Sequence, residues 1–101
     1  MDYSQLSDFE INCKVAFHIG LKTVERAEDG EFKPCANPAD AWPIIFENKI
    51  MLSPHCADDE WKAQIHLGRD DIFDNYASAW HKNPLRAAMI VFLMMQGSKD
   101  A

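Results

Sequence analysis

A chain of 101 residues with 16 acidic and 10 basic side chains, a net charge of −6 and 48% hydrophobic residues has the balance of one folded domain, residues 1–101. It holds enough apolar material to need no metal or disulfide staple. The acidic balance argues against nonspecific binding to nucleic acid or to an anionic membrane, both of which call for a basic surface. The longest unbroken apolar run, 87–95, spans nine residues, against the ~20 of a membrane-spanning helix. Met1-Asp2-Tyr3-Ser4 shows neither the basic nor the apolar region of a signal peptide. Cys13, Cys35 and Cys56 are irregularly spaced and read as reduced thiols, so a cytoplasmic protein is expected.

Ser7-Asp8-Phe9-Glu10 is a capping box, and with Gly20 as a stop it predicts a helix over 8–19. Phe9, Ile11, Val15, Ala16 and Ile19 are expected to form its inner face. Leu21 to Ala27 alternates apolar and polar residues, Asp29-Gly30 offers a tight turn and Glu31-Phe32-Lys33 a return arm, so a hairpin is expected across 21–33. Asn37-Pro38 opens a helix over 38–49, with Pro43 predicting a kink or a restart near Trp42. Ala41, Trp42, Ile45 and Phe46 are expected to face inward.

Residues 50–53 and 61–66 read as two strands of a hairpin, the second alternating with Trp61, Ala63 and Ile65 on one face. Tyr76 to His81 reads as one or two helical turns. Asn83-Pro84 then opens the most apolar stretch of the chain, a helix over 84–96 with Gly97 as its stop and Arg86 as its one charge. Such a helix is buried on most sides. The openings Asn37–Phe46 and Asn83–Phe92 share the pattern Asn-Pro-x-x-Ala-x-x-Ile-x-Phe, which we read as convergence on a good cap and a core-facing stripe. The expected fold is α+β: three helices packed on a small antiparallel sheet, with the buried C-terminal helix at its centre.

No pattern of catalysis is visible. Histidine and cysteine lack metal-ligand spacing, so His55-Cys56 would need His66 or His81 to close a site, and no metal or cofactor is called for. Asp58, Asp59 and Glu60 would raise the Cys56 pKa, the wrong direction for a nucleophile. Gly-rich phosphate loops and nucleophile-elbow motifs do not occur. Two acidic groups, Asp58-Asp59-Glu60 and Asp70-Asp71 with Asp74, lack calcium-loop grammar. Asp70, Asp71 and Asp74, with Tyr76 and Trp80 as partly exposed aromatics, form the candidate interaction set. Arg86 sits in the first turn of its helix against the dipole, and Asp40 is the expected carboxylate partner.

Three stretches resemble the NinX-like proteins of lambdoid phages and prophages: Leu6 to Asn12, Pro34 to Ile45 and Asn83 to Met95. The resemblance implies a phage origin and a bacterial host cytoplasm, and brings no catalytic residue with it. The element order is also similar to small phage domains described as α/β/α sandwiches. The expected function is that of an accessory protein, a small acidic module that binds a host or phage protein. The alternative is a small enzyme with an unmotifed site. No nucleic-acid or membrane partner is expected, and a homo-oligomer stays open.

Overall fold

A computed structural model describes residues 2–54 and 58–99. After a single 3-10 turn at Tyr3–Gln5 come α1 (Asp8–Ile19), α2 (Leu21–Glu28), α3 (Pro38–Glu47), β1 (Met51–Pro54), β2 (Trp61–Arg69), β3 (Asp74–His81) and α4 (Pro84–Lys99). The fold is α+β with four helices and a three-stranded antiparallel sheet in the order β1-β2-β3.

Local chemistry sets the helix starts. The Glu10 N–H donates to Ser7 Oγ at 3.1 Å, and the Ser7 N–H donates to Glu10 Oε1 at 3.0 Å, closing the capping box. Asn37 and Asn83 cap α3 and α4 alike, each accepting from the N–H two residues on, at 3.0 and 2.9 Å. Gly20, at φ +156, takes a backbone conformation that residues with a side chain rarely adopt. That single residue turns the chain from α1 into α2, and the two helices pack together.

The expected hairpin at 21–33 is therefore corrected to helix over its first arm. Thr23, Val24 and Ala27 are the residues of α2 withdrawn from water, while Lys22, Glu25, Arg26 and Glu28 are exposed. That spacing belongs to one helical face, and it coincides with alternation over so short a window. Residues 76–81, expected as helical turns, form β3. Ala77 lies against Ile65 and Ala79 against Ala63, while Tyr76, Ser78 and Trp80 point to the other face. The helix 38–49 ends at Glu47 and runs unbroken through Pro43. Helix α4 passes through Gly97 rather than stopping there.

Helix α4 is the middle layer. It touches all three strands on one side and α1 and α3 on the other, with α2 outside on α1. Ala87 through Leu93 are all buried. Small residues on the facing strands (Ala63, Ala77 and Ala79) leave room for it. No described element covers the second face of the sheet, where no described residue is buried, so the described layers run sheet, α4, helices and not α/β/α.

Several inward assignments are also corrected. In α3 the buried residues are Ala41, Ile44 and Ile45, whereas Trp42 and Phe46 stand outward with ring centroids 6.1 Å apart. In α1, Phe9 and Ile19 are exposed, and Asn12 is buried beside Ile11, Val15 and Ala16. Trp61 lies at the rim of the sheet, 36% exposed.

Candidate interaction face

Pairing in the sheet decides which side chains share its open face. The register joins Lys62 to Trp80, Gln64 to Ser78, His66 to Tyr76 and Met51 to Gln64. Residues directly opposite in an antiparallel pair project to the same side, so these seven lie together, away from α4. Lys62 Nζ sits 5.5 Å from the Trp80 ring centroid, a cation–π contact. The His66 ring meets Tyr76 edge-on at 5.2 Å, and its Nε2 lies 3.1 Å from Asp74 Oδ1.

The five residues expected to form an interaction set divide accordingly. Asp74, Tyr76 and Trp80 lie along one side of β3, spread over roughly 20 Å of strand. Asp70 fastens the β2–β3 turn: its Oδ1 accepts from the Phe73 N–H at 3.2 Å, and its Oδ2 from Asn75 Nδ2 at 3.4 Å. Asp71 is exposed in that turn, beside exposed Ile72 and Phe73. The set is thus a strip ending in a hairpin tip, not a cleft.

Sequence reading missed a second feature, a hollow of ≈ 440 Å³ lined by Tyr3, Cys13, Lys14, Phe17, His18 and Leu93. Four of these lie within one stretch of α1, where helical spacing could have grouped them. Tyr3 and Leu93 arrive from opposite ends of the chain. Burial pushes the Cys13 thiol up, and the Glu28 carboxylate adds to the shift, which leaves the thiol a poor nucleophile. Among the described residues no three histidine, cysteine or acidic side chains cluster as metal ligands. His55 and Cys56 lie outside the described residues, so the His55-Cys56 reading is not addressed by the structure.

The motifs that carried the family resemblance serve the fold. The Cys35 N–H donates to Asn12 Oδ1 at 3.1 Å, and the Cys35 carbonyl accepts from Asn83 Nδ2. The segment 33–37 is thereby fixed to both α1 and α4. Asp40 does not meet Arg86. Its Oδ2 accepts from the Lys33 N–H at 3.1 Å and from Asn37 Nδ2 at 3.2 Å. Arg86 reaches instead to Asp8, with Nη1 2.6 Å from Oδ1.

Burial pushes the Cys35 thiol up to about 12 from the ordinary 9.0, with Asp8 adding to the shift and Arg86 opposing it. The unfolded chain therefore sheds this proton first as pH rises. The stability held by a neutral Cys35 is full below about pH 9 and is lost as pH climbs toward about 12. In urea denaturation over that alkaline range, Cys35→Ala is expected to show a shallower fall of stability with pH than the parent chain. Equal slopes would contradict the burial argument.

Fold and face together define a small α+β domain with aromatic and polar groups spread along an open sheet face. The chain belongs to the family described as Bacteriophage P22, NinX, whose family model matches residues 2–96. No curated protein and no solved structure matches the chain. Among the described residues, no helix is long and apolar enough to cross a membrane.

Proposed function

We propose that the chain is a phage accessory protein that acts as a small acidic binding module, engaging a host or phage protein through the open face of its sheet. One observation carries this reading. Met51, Tyr76 and Trp80, 44%, 53% and 50% exposed, stand on a face that no described helix covers. Aromatic and Met side chains set among polar neighbours are the composition of a protein-binding surface. Lys62, Gln64 and His66 supply polar groups on the same face. Asp70 and Asp71 at the hairpin tip supply an acidic rim, which suits a partner with a basic margin.

The test is affinity capture from phage-infected host lysate with three baits: the parent chain, Tyr76→Ser/Trp80→Ser, and Trp42→Ser on α3. A partner is expected with the parent and the α3 variant and not with the sheet-face variant. Equal recovery on all three baits would refute the assignment of the face. The enzyme alternative draws on the hollow beside α1, which Lys14, His18, Tyr3 and Cys13 help to line. The raised Cys13 pKa weakens it as a nucleophilic site.

A further inference from the structure

Both outer strands of a three-stranded sheet expose unpaired backbone groups, and the two edges here are managed differently. Strand β1 has four residues and ends in Pro54, and shortness and proline are two of the means by which proteins blunt an edge. Strand β3 has eight residues, Asp74–His81, with no proline and no charged residue between Asn75 and Trp80. Its backbone bonds to β2 on one side, and no other described backbone hydrogen bond reaches residues 75–81. A groove of ≈ 380 Å³ opens beside Ser78, Ala79 and Trp80, with Asp2, Ser4 and Glu60 and, from α4, Ile90 and Met94 as its other walls.

The sequence along this edge, Asp74-Asn75-Tyr76-Ala77-Ser78-Ala79-Trp80-His81-Lys82, reads almost the same in both directions about Ser78. Alanine flanks the centre on each side, then an aromatic residue, then a polar one, then a charge. The terminal charges are opposite in sign. We propose that β3 pairs antiparallel with β3 of a second copy of this chain, about a two-fold axis at Ser78, to give a continuous six-stranded sheet.

Two-fold antiparallel pairing requires facing residues to project from the same side of the sheet, so the axis must pass through a residue and not between two. With the axis at Ser78, Tyr76 faces the partner's Trp80, Ala77 the partner's Ala79, Asn75 the partner's His81, and Asp74 the partner's Lys82. Each pair occurs twice. Aromatic and opposite-charge pairs are the cross-strand contacts that stabilise sheets.

Neighbouring registers lose this match. An axis at Ala77 sets Asp74 against the partner's Trp80 and leaves Lys82 without a carboxylate. An axis at Ala79 sets Tyr76 against the partner's Lys82 and leaves Asp74 outside. Charge complementarity thus selects one register, and it selects a second copy as the occupant, because an unrelated strand would not carry the same inverted order. Lys82 is exposed and lies one residue beyond the strand, so its side chain is available to cross. Tyr76 and Trp80 take part in both this edge and the proposed binding face, so the two readings are separated by variants at Asp74 and Lys82, which leave both rings in place. Loss of dimer in those variants leaves partner binding standing, and failure of the capture experiment with the parent chain leaves the dimer standing.

Sedimentation equilibrium of the full chain over rising concentration tests the proposal. A monomer–dimer equilibrium is expected for the parent chain. Asp74→Lys and Lys82→Glu each place two like-charge pairs across the axis and are expected to weaken the dimer about tenfold or more. An equimolar mixture of these two variants restores both opposite-charge pairs, and heterodimer is expected to return to near the parent's affinity. Because Asp74 also contacts His66, this return, and not either single loss, is the deciding readout. Ser78→Cys, at the axis, is expected to give a disulfide-linked dimer on mild oxidation. A monomeric parent, single variants that associate like the parent, or a mixture that fails to recover would each overturn the proposal.

Discussion

Replacing Arg86 with Leu is expected to lower the free energy of unfolding by about 2–4 kcal/mol and to free the segment from Ser4 to Asp8. Arg86 is 7% exposed, and its guanidinium holds three groups of that segment at once. Nη1 donates to Asp8 Oδ1 at 2.6 Å, and Nη2 donates to the carbonyls of Leu6 at 2.6 Å and Ser4 at 3.2 Å. Asp8 is half exposed, so water screens the ion pair and Asp8→Asn alone is expected to cost under about 1 kcal/mol.

The larger share comes from the two carbonyl bonds to a charged donor and from the ordering of the segment they hold. Arg86 Nε is buried with no hydrogen-bond partner among the described residues, and leucine removes that donor too, which sets the loss toward the lower end of the range. Arg86→Lys keeps the charge but not the fork, and one ammonium cannot span three acceptors in the same geometry. It is expected to recover less than half of the difference. Urea denaturation gives the stability, and hydrogen exchange at the Leu6 N–H, which bonds to the Tyr3 carbonyl, reports the segment. A leucine variant within about 0.5 kcal/mol of the parent, with unchanged exchange, would show that the clamp is idle.

That clamp also marks where the sequence stopped being legible. Ser7 with Glu10, Asn37 with Pro38 and Asn83 with Pro84 are signals between near neighbours, and each begins a helix in the structure. The partner of Arg86 lies 78 positions away. Asp8 and Asp40 were equal in charge, and only the packing of the 33–37 segment, which takes Asp40 for itself, separates them. Residues 21–28 carry apolar positions that suit a strand or a helix, and contact with α1 decides between them. Ala77 and Ala79 are weak strand formers, so β3 was hidden. Their small size makes sense only once α4 lies across the sheet. In α3 the sequence showed an apolar helix but not which apolar side faces the core. The same limit applied to the interaction strip: the exposure of Tyr76 and Trp80 was readable, but their shared face with Lys62 and His66 needed the β2–β3 register.

The position of α4 between two layers leads to the second large effect. Met89 has no exposed surface and is among the largest fully buried side chains. Met89→Ala is expected to cost about 2–5 kcal/mol, a large part of the roughly 5–15 kcal/mol that a domain typically holds. The loss combines the transfer free energy of the removed atoms with the cavity they leave. A cavity in an outer layer can shrink as neighbours settle inward. In α4 the sheet bears on one side and α1 and α3 on the other, and the preceding buried residues Ala87 and Ala88 offer no side chain long enough to swing into the gap. The upper half of the range is therefore expected, with a fall in Tm of roughly 10 °C or more. Met51→Ala makes the internal comparison, because the same atoms are removed from a residue 44% exposed on the open sheet face. Its expected cost is about 0.5 kcal/mol. Measured by urea denaturation in parallel, the two variants should differ by at least about 2 kcal/mol; near-equal values would mean that α4 is not the closed middle layer of this fold.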